Sequence, residues 1–158
     1  MTKHSKLSVL FLFLLFAAFV NAVLAQNDEV KPNDVNEIRF DGLYRTKQIT
    51  DKHDGGYKYY SYLRFCENGT VIGMSSSFDA KRVSKWLLCE TEKQKYSVGK
   101  YSVNDNHISF TTKSENGKVD YEGAIEEKSI KLNIYSQITK NSEQNRKYKF
   151  IRVSFDKE

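Results

Sequence analysis

Histidine, cysteine and proline are scarce in this chain, and each scarcity removes a class of chemistry. Of the three histidines, His4 lies in a leader segment. His53 sits in a Gly/Asp-rich stretch and His107 at a strand start, so both read as exposed loop residues and not as general bases. The motifs G-x-S-x-G, H-E-x-x-H, G-x-x-x-x-G-K-[ST] and G-x-G-x-x-G are all missing. The chain is therefore expected not to be an enzyme. Two carboxylates brought together from distant strands are the one catalytic arrangement left open. There are two cysteines, and no second Cys or His pair stands at ligand spacing, so neither a metal nor a cofactor is expected. Charge of one sign is not concentrated either. The 25 Lys and Arg are interspersed with 20 Asp and Glu, as in Lys81, Arg82, Lys85, Glu90, Glu92 and Lys93. That pattern is a solvated surface and argues against a nucleic-acid partner.

One long apolar run is present, and it is N-terminal. Lys3, His4 and Lys6 precede Leu7 to Val20, and small residues follow at Ala22 and Ala25. This is the order of a secretory signal peptide over residues 1–25, with cleavage after Ala25 favoured over Ala22. The run is shorter than the ~20 apolar residues of a spanning helix, so no membrane anchor is expected after cleavage. Residues 1–25 hold no cysteine for lipid attachment. Their removal takes away two lysines and no acid, lowering the formal charge from +5 to +3. The product is expected outside the cell, or in the periplasm of a bacterium. Residues 26–39 are a polar N-terminal lead-in carrying the only proline, Pro32. The remainder, residues 40–158, is one domain's worth of chain.

Alternating patterns dominate that remainder. Tyr59 to Cys66 and Thr70 to Ser76 flank Glu67-Asn68-Gly69, and Asn-Gly predicts a type I′ hairpin turn. Further strands are predicted at Gly42 to Thr50, Tyr96 to Val103, His107 to Lys113, Lys118 to Ile125, Ser129 to Gln137 and Arg146 to Phe155. Polar loops separate them, including Thr139 to Asn145. Phe78 to Glu90 shows helical spacing instead, with Asp79 as N-cap and a staple between Phe78 and Val83. It predicts one helix of about three turns, between the third and fourth strands. The fold class is therefore all-β. Eight sequential antiparallel strands close most simply into an up-and-down barrel, with a two-sheet sandwich as the competing closure.

Several residues follow from this arrangement. Leu63, Phe65, Ile108, Phe110, Val119, Tyr121, Ile130, Leu132, Ile134, Tyr148 and Phe150 alternate so as to face inward. Gly73, Gly99 and Gly123 mark bends within strands. Asp120, Glu122 and Glu126 are spaced like a solvent-facing side. Cys66 and Cys89, an even pair in an exported chain, point to one disulfide, with two free thiols as the alternative. Closing a loop of about 22 residues is worth ~3 kcal/mol in the loop-entropy model. Asn68-Gly69-Thr70 is a glycosylation sequon on the turn. Tyr57, Tyr59, Tyr60 and Tyr62 crowd one strand; with Trp86 on the helix they would suit a flat or apolar ligand, or simply fill the barrel.

The segment Phe40-Asp41-Gly42-Leu43-Tyr44 resembles the F-x-G-x-W motif that opens the first strand of lipocalins, with Tyr44 in place of Trp. The resemblance implies a secreted calycin-like barrel whose first and last strands close together at Gly42, Tyr44 and Arg152. The Arg152 cation would lie over the Tyr44 ring. The expected function is binding of a small apolar or amphipathic ligand inside the barrel by Leu63, Phe65, Phe110, Tyr121, Leu132 and Phe150. Trp86 would act as lid or plug. The alternative is a non-enzymatic interaction module with a solid interior, binding a protein or glycan through its outer face or loops.

Overall fold

The computed structural model describes residues 37–52, 55–90 and 96–155. The leader and most of the lead-in lie outside these residues, as does His53. The described strands are β1 (Gly42–Arg45), β2 (Ile49–Asp51), β3 (Tyr57–Phe65), β4 (Thr70–Ser76), β5 (Ser97–Asn104), β6 (His107–Ser114), β7 (Gly117–Glu126), β8 (Ser129–Ser136) and β9 (Ser142–Arg152). Every pairing is antiparallel and follows chain order from β3 to β9. β1 then bridges the ends: Tyr44 is opposite Phe150 on one side and Leu63 on the other. Eight strands thus form a closed barrel and not a two-sheet sandwich, and β2 is an extra strand paired to β3.

Alternation along the strands produces two apolar clusters on opposite faces of one wall. Tyr44, Leu63, Phe65, Val71, Ile108, Phe110, Ile125, Ile130, Leu132 and Tyr148 form the inner one. Their neighbours Leu43, Tyr62, Cys66 and Ile72 point outward, where Ala80, Val83 and Leu87 cover them. Val71 to Gly73 and Gly42 to Tyr44 are continuously buried for this reason. At Gly99 and Gly123 an added Cβ would lie 2.0 and 1.9 Å from the carbonyl oxygens of Thr111 and Lys131. Only glycine permits the bend that closes the barrel there.

Several predicted boundaries shift. The single strand Gly42 to Thr50 is broken at Thr46, whose N–H donates to the Ser61 carbonyl (3.1 Å) and whose Oγ1 accepts from the Ser61 N–H (3.0 Å). A side chain takes over one ladder bond, and the chain beyond it leaves β9. The last strand begins at Ser142, not Arg146. Residues 142–145 are all exposed and polar, so no hydrophobic alternation betrays them. In the β3–β4 turn only Gly69 has positive φ (+78°). The Gly69 N–H donates to the Cys66 carbonyl (3.0 Å), which makes a three-residue loop with an αL glycine and not the type I′ turn.

The helix, α1 (Ala80–Ser84), has five residues instead of three turns. Asp79 caps it, accepting from the Arg82 N–H at 2.9 Å. Phe78 lies against the Arg82 guanidinium and the Trp86 ring. The chain then has to reach Cys66, to which Cys89 is disulfide-bonded. A helix advances only ~1.5 Å per residue against ~3.3 Å for extended chain, so the segment unwinds after α1.

The closure expected at Arg152 is built differently. Arg152 is opposite Gly42, but its side chain is 75% exposed and pairs with Asp41 at 2.9 Å. It does not stack on Tyr44. The lead-in supplies the cation instead: the Arg39 guanidinium lies 4.0 Å from the Phe150 ring centroid. The Arg39 N–H donates to the Tyr44 hydroxyl at 2.9 Å. Ile38 and Phe40 pack beside them against the inner cluster. Three residues with no periodicity therefore close one end of the barrel.

Candidate binding site in the barrel

The inner face divides into an aromatic floor and a polar upper part. On the floor, Tyr44 meets Phe65 and Phe150 edge-on at 5.5 and 5.3 Å. Phe65 meets Tyr101 and Phe110 the same way at 5.1 and 5.6 Å. Tyr121 stacks on Phe110 at 4.5 Å. Edge-on and offset contacts of this kind add to the area they bury, because each ring presents a positive rim to a negative face.

Above the floor the inward positions become hydroxylic. Residues opposite each other on paired antiparallel strands share a face. Arg146 is opposite Leu132, and Tyr148 is opposite Ile130, so Arg146 points to the inner side. Its side chain is 24% exposed and pairs with Glu143. The Tyr148 hydroxyl shares a 3.1 Å hydrogen bond with Ser61 Oγ. Thr112 is fully buried; its Oγ1 lies beside the Tyr121 hydroxyl without a well-formed hydrogen bond to any partner. Burial raises both the Tyr121 and Tyr148 phenols above their ordinary value, and for Tyr148 the neighbouring Tyr121 adds to the effect. Both are therefore neutral donors at physiological pH. The cluster offers phenols, two hydroxyls and a guanidinium directly above an apolar floor.

Six of the seven predicted ligand residues belong to this interior. Leu63, Phe65, Phe110 and Leu132 are buried in the inner cluster, and Tyr121 and Phe150 are half-buried against it. The seventh, Trp86, is in the outer cluster with Cys89, 5.7 Å from Phe78. It packs outside the barrel wall, on a different face from the other six. Of the crowded tyrosines, Tyr60 and Tyr62 are also outside, and Tyr57 stacks on Tyr59 at 6.2 Å. Sequence reading missed Ser61, Thr112 and Arg146. The signal was their parity with Leu63, Phe110 and Tyr148, which a search for apolar side chains passes over.

The remaining sites are simpler. Asp120 and Glu126 bond outer-face neighbours: Asp120 accepts from Thr111 and Gln137, and Glu126 from Lys147 and Ser129. His107 pairs with Glu122 at 3.3 Å. Asn68 is exposed, and its Oδ1 accepts from the Thr70 N–H at 3.0 Å. Among the described residues no three or more His, Cys, Asp and Glu come together as a metal would need.

These features define the class: a closed eight-stranded antiparallel barrel with one disulfide-tethered outer strap and a polar-topped interior. No family model, curated protein or solved structure matches the chain.

Proposed function

We propose that this is an exported, lipocalin-like, non-enzymatic protein that binds a small amphipathic molecule in the upper part of its barrel. The observation that carries the reading is the placement of Arg146, Tyr121, Tyr148 and Thr112 over the ring floor. A buried hydroxyl whose hydrogen bond is poorly formed, as between Thr112 Oγ1 and the Tyr121 hydroxyl, keeps part of a desolvation cost of about 1–3 kcal/mol. A ligand's polar end would relieve that cost while its apolar part lay on Tyr121 and Phe110. Export rests on the leader pattern, and the Cys66–Cys89 bond is consistent with an oxidising compartment.

The test is displacement of an environment-sensitive fluorescent fatty acid by a panel of fatty acids, retinoids and haem. Saturable displacement by one class, weakened in Thr112→Val and Arg146→Met, is the expected result. Absence of binding by every compound would sink the reading. Trp86, outside the wall, is not a suitable reporter.

A second reading is favoured by a separate observation. An outer groove of about 430 Å³ runs between Lys100, Thr111, Asp120, Glu122 and the exposed ring of Tyr135. An aromatic face among planar polar groups suits a glycan or a protein loop. Loss of glycan-array binding in Tyr135→Ala, with fatty-acid displacement unaffected or absent, would select this reading.

A further inference from the structure

The barrel wall has a split on one side, and the split is basic. β9 is paired to β1 only from Lys149 to Arg152. From Ser142 to Tyr148 it has β8 on one side and, among the described residues, no strand on the other. β2, across from it, pairs among the described residues with β3 alone. Both edges arise from the break at Thr46, where β1 ends and the chain turns away from β9. No backbone hydrogen bond between described residues spans the opening. It is a cleft of about 340 Å³ lined by Thr46, Lys47, Gln48, Ile49, Arg146, Lys147 and Lys149.

Four of those seven residues are cations, and their partners are unevenly distributed. Arg146 is paired with Glu143, and Lys147 with Glu126 at 2.5 Å. Lys47 and Lys149 have no acidic partner among the described residues. The inner end of the cleft is formed by Thr46, which is buried, and by Arg146, which also faces the hydroxyl cluster of the interior. Thr46 in turn is hydrogen-bonded to Ser61, the partner of Tyr148. Two ammonium groups without an acidic partner among the described residues thus stand in a cleft that shares Arg146 with the candidate site. Like charges held beside a low-dielectric wall concentrate anions from solution.

We infer that this cleft is an anion-binding portal, which takes the carboxylate, phosphate or sulfate group of an amphiphile at Lys47 and Lys149. The assignment rests on the proposed interior site for the ligand's fate but not for the anion contact itself. It predicts a charge preference that the apolar floor cannot impose: anionic amphiphiles bind, and uncharged ones of equal chain length bind less well.

The test uses the disulfide-bonded protein with laurate, 1-dodecanol and inorganic phosphate. The readouts are probe displacement and backbone amide shifts. Laurate is expected to shift the amides of Lys47, Gln48 and Lys147. The double change Lys47→Gln and Lys149→Gln is expected to weaken laurate about tenfold at low salt and to leave dodecanol unchanged; arginine at both positions restores laurate. Equal losses for laurate and dodecanol, or laurate shifts confined to other parts of the barrel, would overturn the inference. Phosphate that saturably shifts the cleft amides, with no binding of either amphiphile, would support the portal as a free-anion site and remove the interior reading. If none of the three shifts the cleft amides, the portal is wrong.

Discussion

The two apolar clusters of this barrel are made from alternate residues of the same strands, yet they are finished differently. The outer one, around Tyr62, Ile72, Val83 and Leu87, is covered by the helix segment and fastened by the Cys66–Cys89 bond. Its cations lie against its rings: Arg64 donates to the Leu87 carbonyl and lies 3.4 Å from the Phe155 ring centroid, with its Nε left unpaired, and Arg45 and Arg82 lie over Tyr60 and Trp86. The inner one is richer in rings at its floor, and its upper half holds hydroxyls and an arginine beside a split in the wall. The comparison teaches that covering a sheet face requires only apolar area and a tether. Each face keeps one buried unpaired donor, Arg64 Nε outside and Thr112 Oγ1 inside; what distinguishes the inner face is that phenols, hydroxyls and a guanidinium gather there above the rings.

The largest effect should come from the floor. Phe65→Ala removes a fully buried ring that touches Tyr44, Tyr101 and Phe110. A loss of about 3–5 kcal/mol in urea unfolding is expected. A loss below ~1 kcal/mol would mean the floor is not tightly packed.

Opening the disulfide with Cys66→Ser and Cys89→Ser should cost ~3 kcal/mol. The strand signal in circular dichroism should survive while Trp86 fluorescence moves, because Trp86 reports the strap and not the barrel. Coincident loss of both signals in water would show that the two clusters fold as one unit.

Alkali should act on the inner cluster. Burial holds the Tyr148 proton well above the ordinary phenol value of 10.0, so the unfolded chain releases it first as pH rises. Stability is then unaffected below that value and falls above it by about 1.4 kcal/mol per pH unit for this group. Tyr148→Phe should flatten the decline, a comparison made by unfolding series from pH 8 to 11.5. An unchanged slope in the variant would place the titration elsewhere.

The smallest effect separates the two cations at the closed end. Arg152→Ala should leave the unfolding midpoint where it is, since its contact with Asp41 is exposed to solvent. Arg39→Ala should lower it, because that guanidinium covers the Phe150 ring. The reverse ranking, measured by thermal unfolding, would reinstate Arg152 as the closing residue.

Much of this was legible in the residues. The period of two from Tyr59 to Ser76 and from His107 to Ser136 placed five strands, because a wall with a dry side must alternate. Tight turns between them allowed only antiparallel neighbours, and two cysteines in one domain allowed at most one intramolecular bond. Other features depend on contacts between segments distant in sequence. No local pattern shows that Ile38 and Arg39 close an end, that Ser142 to Asn145 form a strand, or that the helix stops at Ser84 to let Cys89 reach Cys66. Nor does parity alone reveal that Trp86 lies outside the wall.

The amino-acid order by itself determined an all-β chain and an inward set of rings, since hydrophobic period and turn chemistry are local quantities; that Cys66 and Cys89 are bonded and not two free thiols came from the structure. Tertiary structure alone decided where the first strand breaks, which cation meets which ring, and that the hydroxyls of Ser61 and Thr112 gather near Arg146. Those outcomes follow from barrel closure, which sets the registers of all eight strands together and so brings together residues that no short window of sequence contains.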